Sequence, residues 1–174
     1  MKPVIRYAAL CAVCVVSCSR IVAAQERTSA PDPGIGTWRL NLEKSQFPGA
    51  KPQMEVRRYW LREDGFLAGL AISVDAQGNP GFVQFVAKDD GRDYPEYNVP
   101  TLADFQATGT PTPIMYAQQS VSPLEATVTL KRDGRITTTG TRRVSEDGQT
   151  MTVTLRTSTQ DGETVTVVRV FDRH

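Results

Sequence analysis

Short runs of alternating apolar and polar residues, broken by turn signals, occupy most of the chain after residue 65. In Glu125–Arg132 the residues Ala126, Val128 and Leu130 alternate with Thr127, Thr129 and Lys131; further on, Met151, Val153 and Leu155 alternate with Thr152, Thr154 and Arg156. Over Phe66–Asp75 the set Phe66, Ala68, Leu70, Ile72 and Val74 shares one parity. Period two places successive side chains on opposite faces of a strand, so each run predicts a strand with its apolar parity toward a core. Thirteen threonines between Thr127 and Thr166 reinforce this, because β-branched side chains favour strands and a hydroxyl tolerates the wet face. No segment sustains a 3.6-residue period, so little helix is expected.

The punctuation is regular. Turn signals fall at Asp64-Gly65, Gln77-Gly78-Asn79 and Asp90-Gly91, with glycines 13 apart, and at Asp133-Gly134, Asp147-Gly148 and Asp161-Gly162, with glycines 14 apart. Asp-Gly suits tight hairpins because glycine accepts positive φ and aspartate tolerates it. The chain therefore predicts an all-β, single antiparallel up-and-down meander. Alternation alone fits a closed barrel or a β-sandwich. Three stretches depart from the simple pattern. Phe82–Ala87 and Val165–Phe171 are apolar on both parities and are expected where both faces are covered. Arg142 shares the parity of Ile136 and Val144, which means either a bulge near Gly140 or an arginine that points inward. Tyr94–Pro113, with four prolines, predicts a long connection or lid, with a single helical turn over Leu102–Ala107.

The N-terminus is of another kind. Lys2 and Arg6 precede the apolar-to-small run Tyr7–Ser19, about the length of a signal-peptide core and short of the ~20 residues that span a bilayer. Residues 1–24 therefore read as an export signal, the polar, proline-containing 25–33 as a flexible tether and 34–174 as the barrel domain. Val22-Ala23-Ala24 offers an ordinary cleavage site; Val15-Val16-Ser17-Cys18 offers a lipobox, with Cys18 as the lipidated residue and a membrane tether. The expected location is exported: periplasmic, outer-membrane-anchored or secreted. All three cysteines (Cys11, Cys14, Cys18) lie in this segment, so the domain has no disulfide and no thiolate ligand.

Composition then limits the chemistry. Apolar residues make up 40% and charged residues 22% of the 174, a globular balance. Losing Lys2, Arg6 and Arg20 with the first 24 residues takes the formal charge from +1 to −2, which gives no electrostatic reason to bind nucleic acid. The one histidine is His174, the last residue, where fraying is expected; a Ser-His-Asp triad and a histidine metal site are thereby unsupported. Thr108-Gly109-Thr110 lacks the lysine of a phosphate loop. The acidic run Asp89-Asp90-Gly91-Arg92-Asp93 reads as a hairpin turn more readily than as a calcium loop. No cofactor and no catalytic residue is indicated.

Three stretches carry a resemblance. Gly36-Thr37-Trp38-Arg39-Leu40-Asn41 with Glu43-Lys44-Ser45, Asp90-Gly91-Arg92-Asp93-Tyr94-Pro95, and Arg142–Val153 with its Asp147-Gly148 turn together resemble secreted bacterial lipocalin-like (calycin-type) β-barrel proteins of unknown function. The resemblance implies a lipocalin-like barrel of about eight to ten strands. It also implies structural roles for Gly36 and Trp38, with Arg169 as the arginine on the tryptophan face. Pro/Thr-rich Tyr97–Ser120 replaces a short turn of that pattern. The expected function is a non-catalytic binding module for a small apolar or amphipathic molecule, lined by Leu70, Ile72, Val128, Leu130, Met151, Val153 and Leu155. The alternative is a lipid-anchored envelope interaction protein with a filled barrel.

Overall fold

A computed structural model describes residues 32–99, 114–159 and 161–174. The export segment with Cys18, most of the tether, and residues 100–113 with the expected helical turn lie outside the described residues. Ten strands follow one another: β1 (Gly36–Gln46), β2 (Met54–Leu61), β3 (Leu67–Val74), β4 (Pro80–Ala87), β5 (Tyr94–Val99), β6 (Ile114–Ser122), β7 (Glu125–Arg132), β8 (Arg135–Val144), β9 (Thr150–Ser158) and β10 (Thr164–Arg173). Each pairs antiparallel with the next, and β1 pairs with β10, closing a barrel. The barrel replaces the sandwich alternative, and Tyr94–Val99 is a strand paired on both sides rather than part of a lid.

All six predicted turn glycines have positive φ: 77° at Gly65, 91° at Gly78, 73° at Gly91, 74° at Gly134, 69° at Gly148 and 85° at Gly162. The acidic run is the β4–β5 turn. Asp90 accepts from the Arg92 amide at 3.0 Å and from the Tyr94 hydroxyl at 3.0 Å, while Asp93 takes Lys131.

Register assigns the faces. Val128 pairs with Gly140, and Arg142 with Val153, so Ala126, Val128 and Leu130 share the interior with Thr138, Arg142, Met151, Val153 and Leu155. Of the two readings of Arg142, the inward arginine is the one found: it is 5% exposed. The β7–β8 register shift lies beside Lys131 and Ile136, not at Gly140. On β3 the expectation is inverted. Gly69 pairs with Tyr59 and Phe85, whose rings occupy the interior, so Gly69, Ala71 and Ser73 face inward while Ala68, Leu70, Ile72 and Val74 face outward. The inversion has a steric cause: a Cβ on Gly69 would lie 2.4 Å from the Phe85 ring, so this wall must be small where the rings are large. Nor is β4 covered on both faces, since Phe82 is half-exposed.

One end is closed by Trp38, Phe171, Met151 and Val144, all fully buried. The Trp38 indole N–H donates to the Gly34 carbonyl at 2.7 Å. The cation on its face is Arg173 at 4.2 Å, not Arg169. Trp38, the third residue of the first strand, is directly opposite Arg173 at the end of the last, whereas Arg169 sits four residues further into the barrel and lies over Phe47. Arg173 also donates to the carbonyls of Pro33, Ile35 and Gly148. His174 is not frayed, because its amide donates to the Thr37 carbonyl at 2.9 Å.

Candidate functional site

The barrel encloses a cavity of about 250 Å³, close to the lower end of ligand pockets at about 300 Å³. Of the seven expected lining residues, Leu70, Val128, Leu130, Val153 and Leu155 border it. Leu70 does so only as part of the wall, its parity being outward beside Arg58 and Gln84. Ile72 and Met151 do not: Ile72 is on the outer wall and Met151 is packed into the closed end. One side of the cavity is apolar, with Phe85 stacked on Tyr116 at 3.9 Å between centroids.

The other side is ionic, which the hydrophobic pattern did not foretell. Arg57, Arg142 and Arg169 face the cavity with Glu55 and Glu96. β2 supplies Glu55, Arg57 and Tyr59 at alternate positions, so all three point inward. Glu55 bridges two arginines: Arg57 Nε donates to it at 2.6 Å, and Arg169 Nε lies 3.3 Å from its other oxygen without the alignment of a hydrogen bond. Arg57 also reaches the Tyr59 hydroxyl at 3.4 Å and lies over the Phe171 ring at 4.9 Å. Arg142 lies over the Tyr59 ring at 5.4 Å and gives Nη2 to Asp32 at 2.5 Å. Its Nη1 lies under Gly34, where a Cβ would come within 1.7 Å, and neither Nη1 nor Nε has a hydrogen-bond partner among the described residues. The parity of Arg142 and the alternation Glu55-x-Arg57-x-Tyr59 were the only sequence signals of this cluster.

Electrostatics keep the cluster ionised. Burial raises the Glu55 pKa, but the guanidinium groups of Arg57 and Arg169 outweigh it and hold the carboxyl below its usual range. Burial lowers the Arg142 pKa, and Asp32 more than reverses this. At Arg169 burial dominates and the pKa falls. Burial also pushes the Tyr116 hydroxyl upward, so it stays protonated and donates to Gln118 at 2.7 Å. Because the folded pKa of Glu55 is depressed, its contribution to stability is complete above the unfolded value of about 4.3 and is lost as pH falls through the folded value. Melting temperature should therefore decline below about pH 4.5, and Glu55→Gln should flatten that part of the profile. An equally steep acid limb in the variant would remove Glu55 as its cause.

No family model and no curated protein matches the chain. Solved structures do. A fatty acid binding protein of Schistosoma mansoni, in complex with arachidonic acid, superimposes with a TM-score of 0.54 at 15% identity, over 82% of this chain and 96% of that one. The fluorescent protein UnaG superimposes with a TM-score of 0.51 at 16% identity, over 81% and 97%. At such identities the likeness concerns the fold alone: this chain is a ten-stranded closed antiparallel barrel that superimposes on the barrel of a fatty acid binding protein.

Proposed function

We propose that the protein is a non-catalytic carrier that holds a small amphipathic anion inside the barrel, its acidic head on the arginines and its apolar body against Phe85, Val128, Leu130, Val153 and Leu155. One observation carries this reading: three guanidinium groups, those of Arg57, Arg142 and Arg169, border the cavity against two carboxylates, Glu55 and Glu96, and face an apolar wall. A buried cation in excess of its counter-ions is costly, and a carboxylate is its natural complement. The void itself speaks against a completely filled barrel. The ligands of the two fold relatives, where named, point the same way, arachidonic acid being a carboxylate with an apolar tail.

Octanoate and decanoate should bind in calorimetric titration, and octanol should bind about tenfold or more weakly, since a hydrogen bond to a charged group contributes about 1.5–3 kcal/mol. Arg142→Leu should abolish the preference for the acid. Equal binding of acid and alcohol, or of neither, would overturn the reading. We further propose that the carrier acts outside the cytoplasm, from the basic start and apolar run of the first 24 residues. Intact mass of the protein from its native host should show a chain starting near Gln25, or an acylated one starting at Cys18; a chain still beginning at Met1 would reject export.

A further inference from the structure

The outer wall of the barrel has two unlike halves. On β7–β10 the outward positions are largely threonine, among them Thr127, Thr129, Thr141, Thr152, Thr154 and Thr166. On β2–β4 the outward positions are Met54, Val56, Arg58 and Trp60, then Ala68, Leu70, Ile72 and Val74, then Pro80, Phe82, Gln84 and Val86. Register aligns Val56, Ile72 and Phe82 in one row across three strands, and Trp60, Ala68 and Val86 in another. Trp60, Ile72, Phe82 and Met54 are each 36–40% exposed, and Tyr97 on the neighbouring β5 is 67% exposed. The sole charged residue at these positions, Arg58, lies over the Trp60 ring at 5.9 Å. Ala68 itself is buried, so the exposed apolar surface is that of Met54, Trp60, Ile72, Phe82 and Tyr97, and clustered exposed apolar side chains are a feature of interaction surfaces.

The same face borders an opening in the barrel wall. β1 and β2 share only four register positions, Gly36↔Tyr59 to Arg39↔Val56. Beyond Arg39, β1 stays with β10 through a bulge secured by Ser45, whose hydroxyl donates to the Asn41 carbonyl and accepts from the Val170 amide. Met54 and Glu55 meanwhile pair with β3 alone. Between the diverging strands runs a groove of about 590 Å³ whose apolar border is Leu40, Leu42 and Met54 and whose remaining border is polar, with Arg39, Glu43, Glu55, Asp172 and Arg173 among its charged side chains. Met54 belongs to both groove and apolar face; Glu55 belongs to both groove and cavity. Glu55, buried and held in ion pairs by Arg57 and Arg169, thus stands as the barrier between groove and interior.

We propose that the outer face of β2–β4 docks on the surface of a lipid bilayer and presents the β1–β2 opening to it, so that an amphipathic ligand passes between membrane and cavity without crossing water. The bilayer is favoured over a protein partner by three observations. The face is a convex cylinder wall, which a deformable surface can follow. It carries three aromatic residues, Trp60, Phe82 and Tyr97, and a single arginine, Arg58, beside Trp60, which suits a headgroup region where an apolar ring is wetted at one edge and a cation meets phosphate. And the face adjoins the opening to a cavity for a molecule whose reservoir is a membrane; this last point rests on the carrier reading above.

The protein reports on its own docking. It has two tryptophans, Trp38 fully buried and Trp60 on the face. On adding vesicles of phosphatidylcholine with phosphatidylglycerol to the full chain, Trp60 emission should shift to the blue and be quenched by brominated acyl chains. Trp60→Phe should remove that response. Ile72→Thr with Phe82→Thr, a polar pair that suits directly opposed strand positions, should weaken vesicle binding at least about tenfold, with the octanoate titration unchanged. Trp60 emission that does not move would overturn the proposal, and so would a response untouched by the paired substitution. Self-association lost in that pair, with no vesicle response, would assign the face to a second copy and equally overturn it. The two readings fail separately: a Trp60 response without octanoate binding removes the carrier and leaves the docking face, and octanoate binding without a Trp60 response does the reverse.

Discussion

Replacing Trp38 with alanine should cost about 3–5 kcal/mol, the usual range for truncating a fully buried large aromatic side chain. The residue is 0% exposed and packs in one cluster with Phe171, Met151 and Val144. Its loss would do more than leave a void. The indole N–H ties Gly34, and with it the segment that carries Asp32 to Arg142, while the ring supports the guanidinium through which Arg173 gathers the carbonyls of Pro33, Ile35 and Gly148. The melting temperature should fall by on the order of 10 °C. Trp38→Phe, which keeps most of the volume and loses the donor, should cost clearly less. A loss below about 1 kcal/mol for Trp38→Ala in urea titrations would show that the closed end is not held this way.

Parts of this architecture were readable in the sequence for identifiable reasons. The six hairpin glycines stood out because positive φ selects glycine almost alone. The inward faces of β7 and β9 stood out because their outward neighbours are threonines, so polarity and parity agree. The same rule failed on β3. There the outer wall is apolar and the inner wall is Gly69, Ala71 and Ser73, made small by the rings of Tyr59 and Phe85, so hydrophobicity pointed the wrong way. Alternation alone therefore places Ile72 in the interior, where the structure has it on the outer wall. β5 was obscured by its proline and by the Pro-rich run that follows. The arginine on Trp38 was misplaced by four residues: antiparallel closure sets the beginning of the first strand against the very end of the last, which selects Arg173 over Arg169. The ionic cluster could not be assembled from one strand, since its members come from β2, β5, β8 and β10 and meet only when the barrel closes.

That cluster supports the second large effect. Glu55→Gln should destabilise the protein by about 3 kcal/mol, toward the low end for breaking a buried ion pair, because Arg169 retains some contact with solvent. The change removes the charge that Arg57 and Arg169 share and keeps nearly the same volume. Two guanidinium groups beside the cavity are then left short of a counter-ion, and an entering carboxylate would take the place of the lost one. The variant should therefore bind octanoate more tightly than the parent, by about tenfold, and gain more in melting temperature at the same octanoate concentration. A ligand at 100 times its dissociation constant contributes about 2.7 kcal/mol, enough to restore most of the loss. Octanol, with no charge to offer, should restore little in either protein. Stability loss and anion affinity are thus coupled through one carboxylate. Were Glu55→Gln destabilised with octanoate affinity unchanged or weaker, the arginines would be structural counter-ions to Glu55 and not the seat of an anionic head.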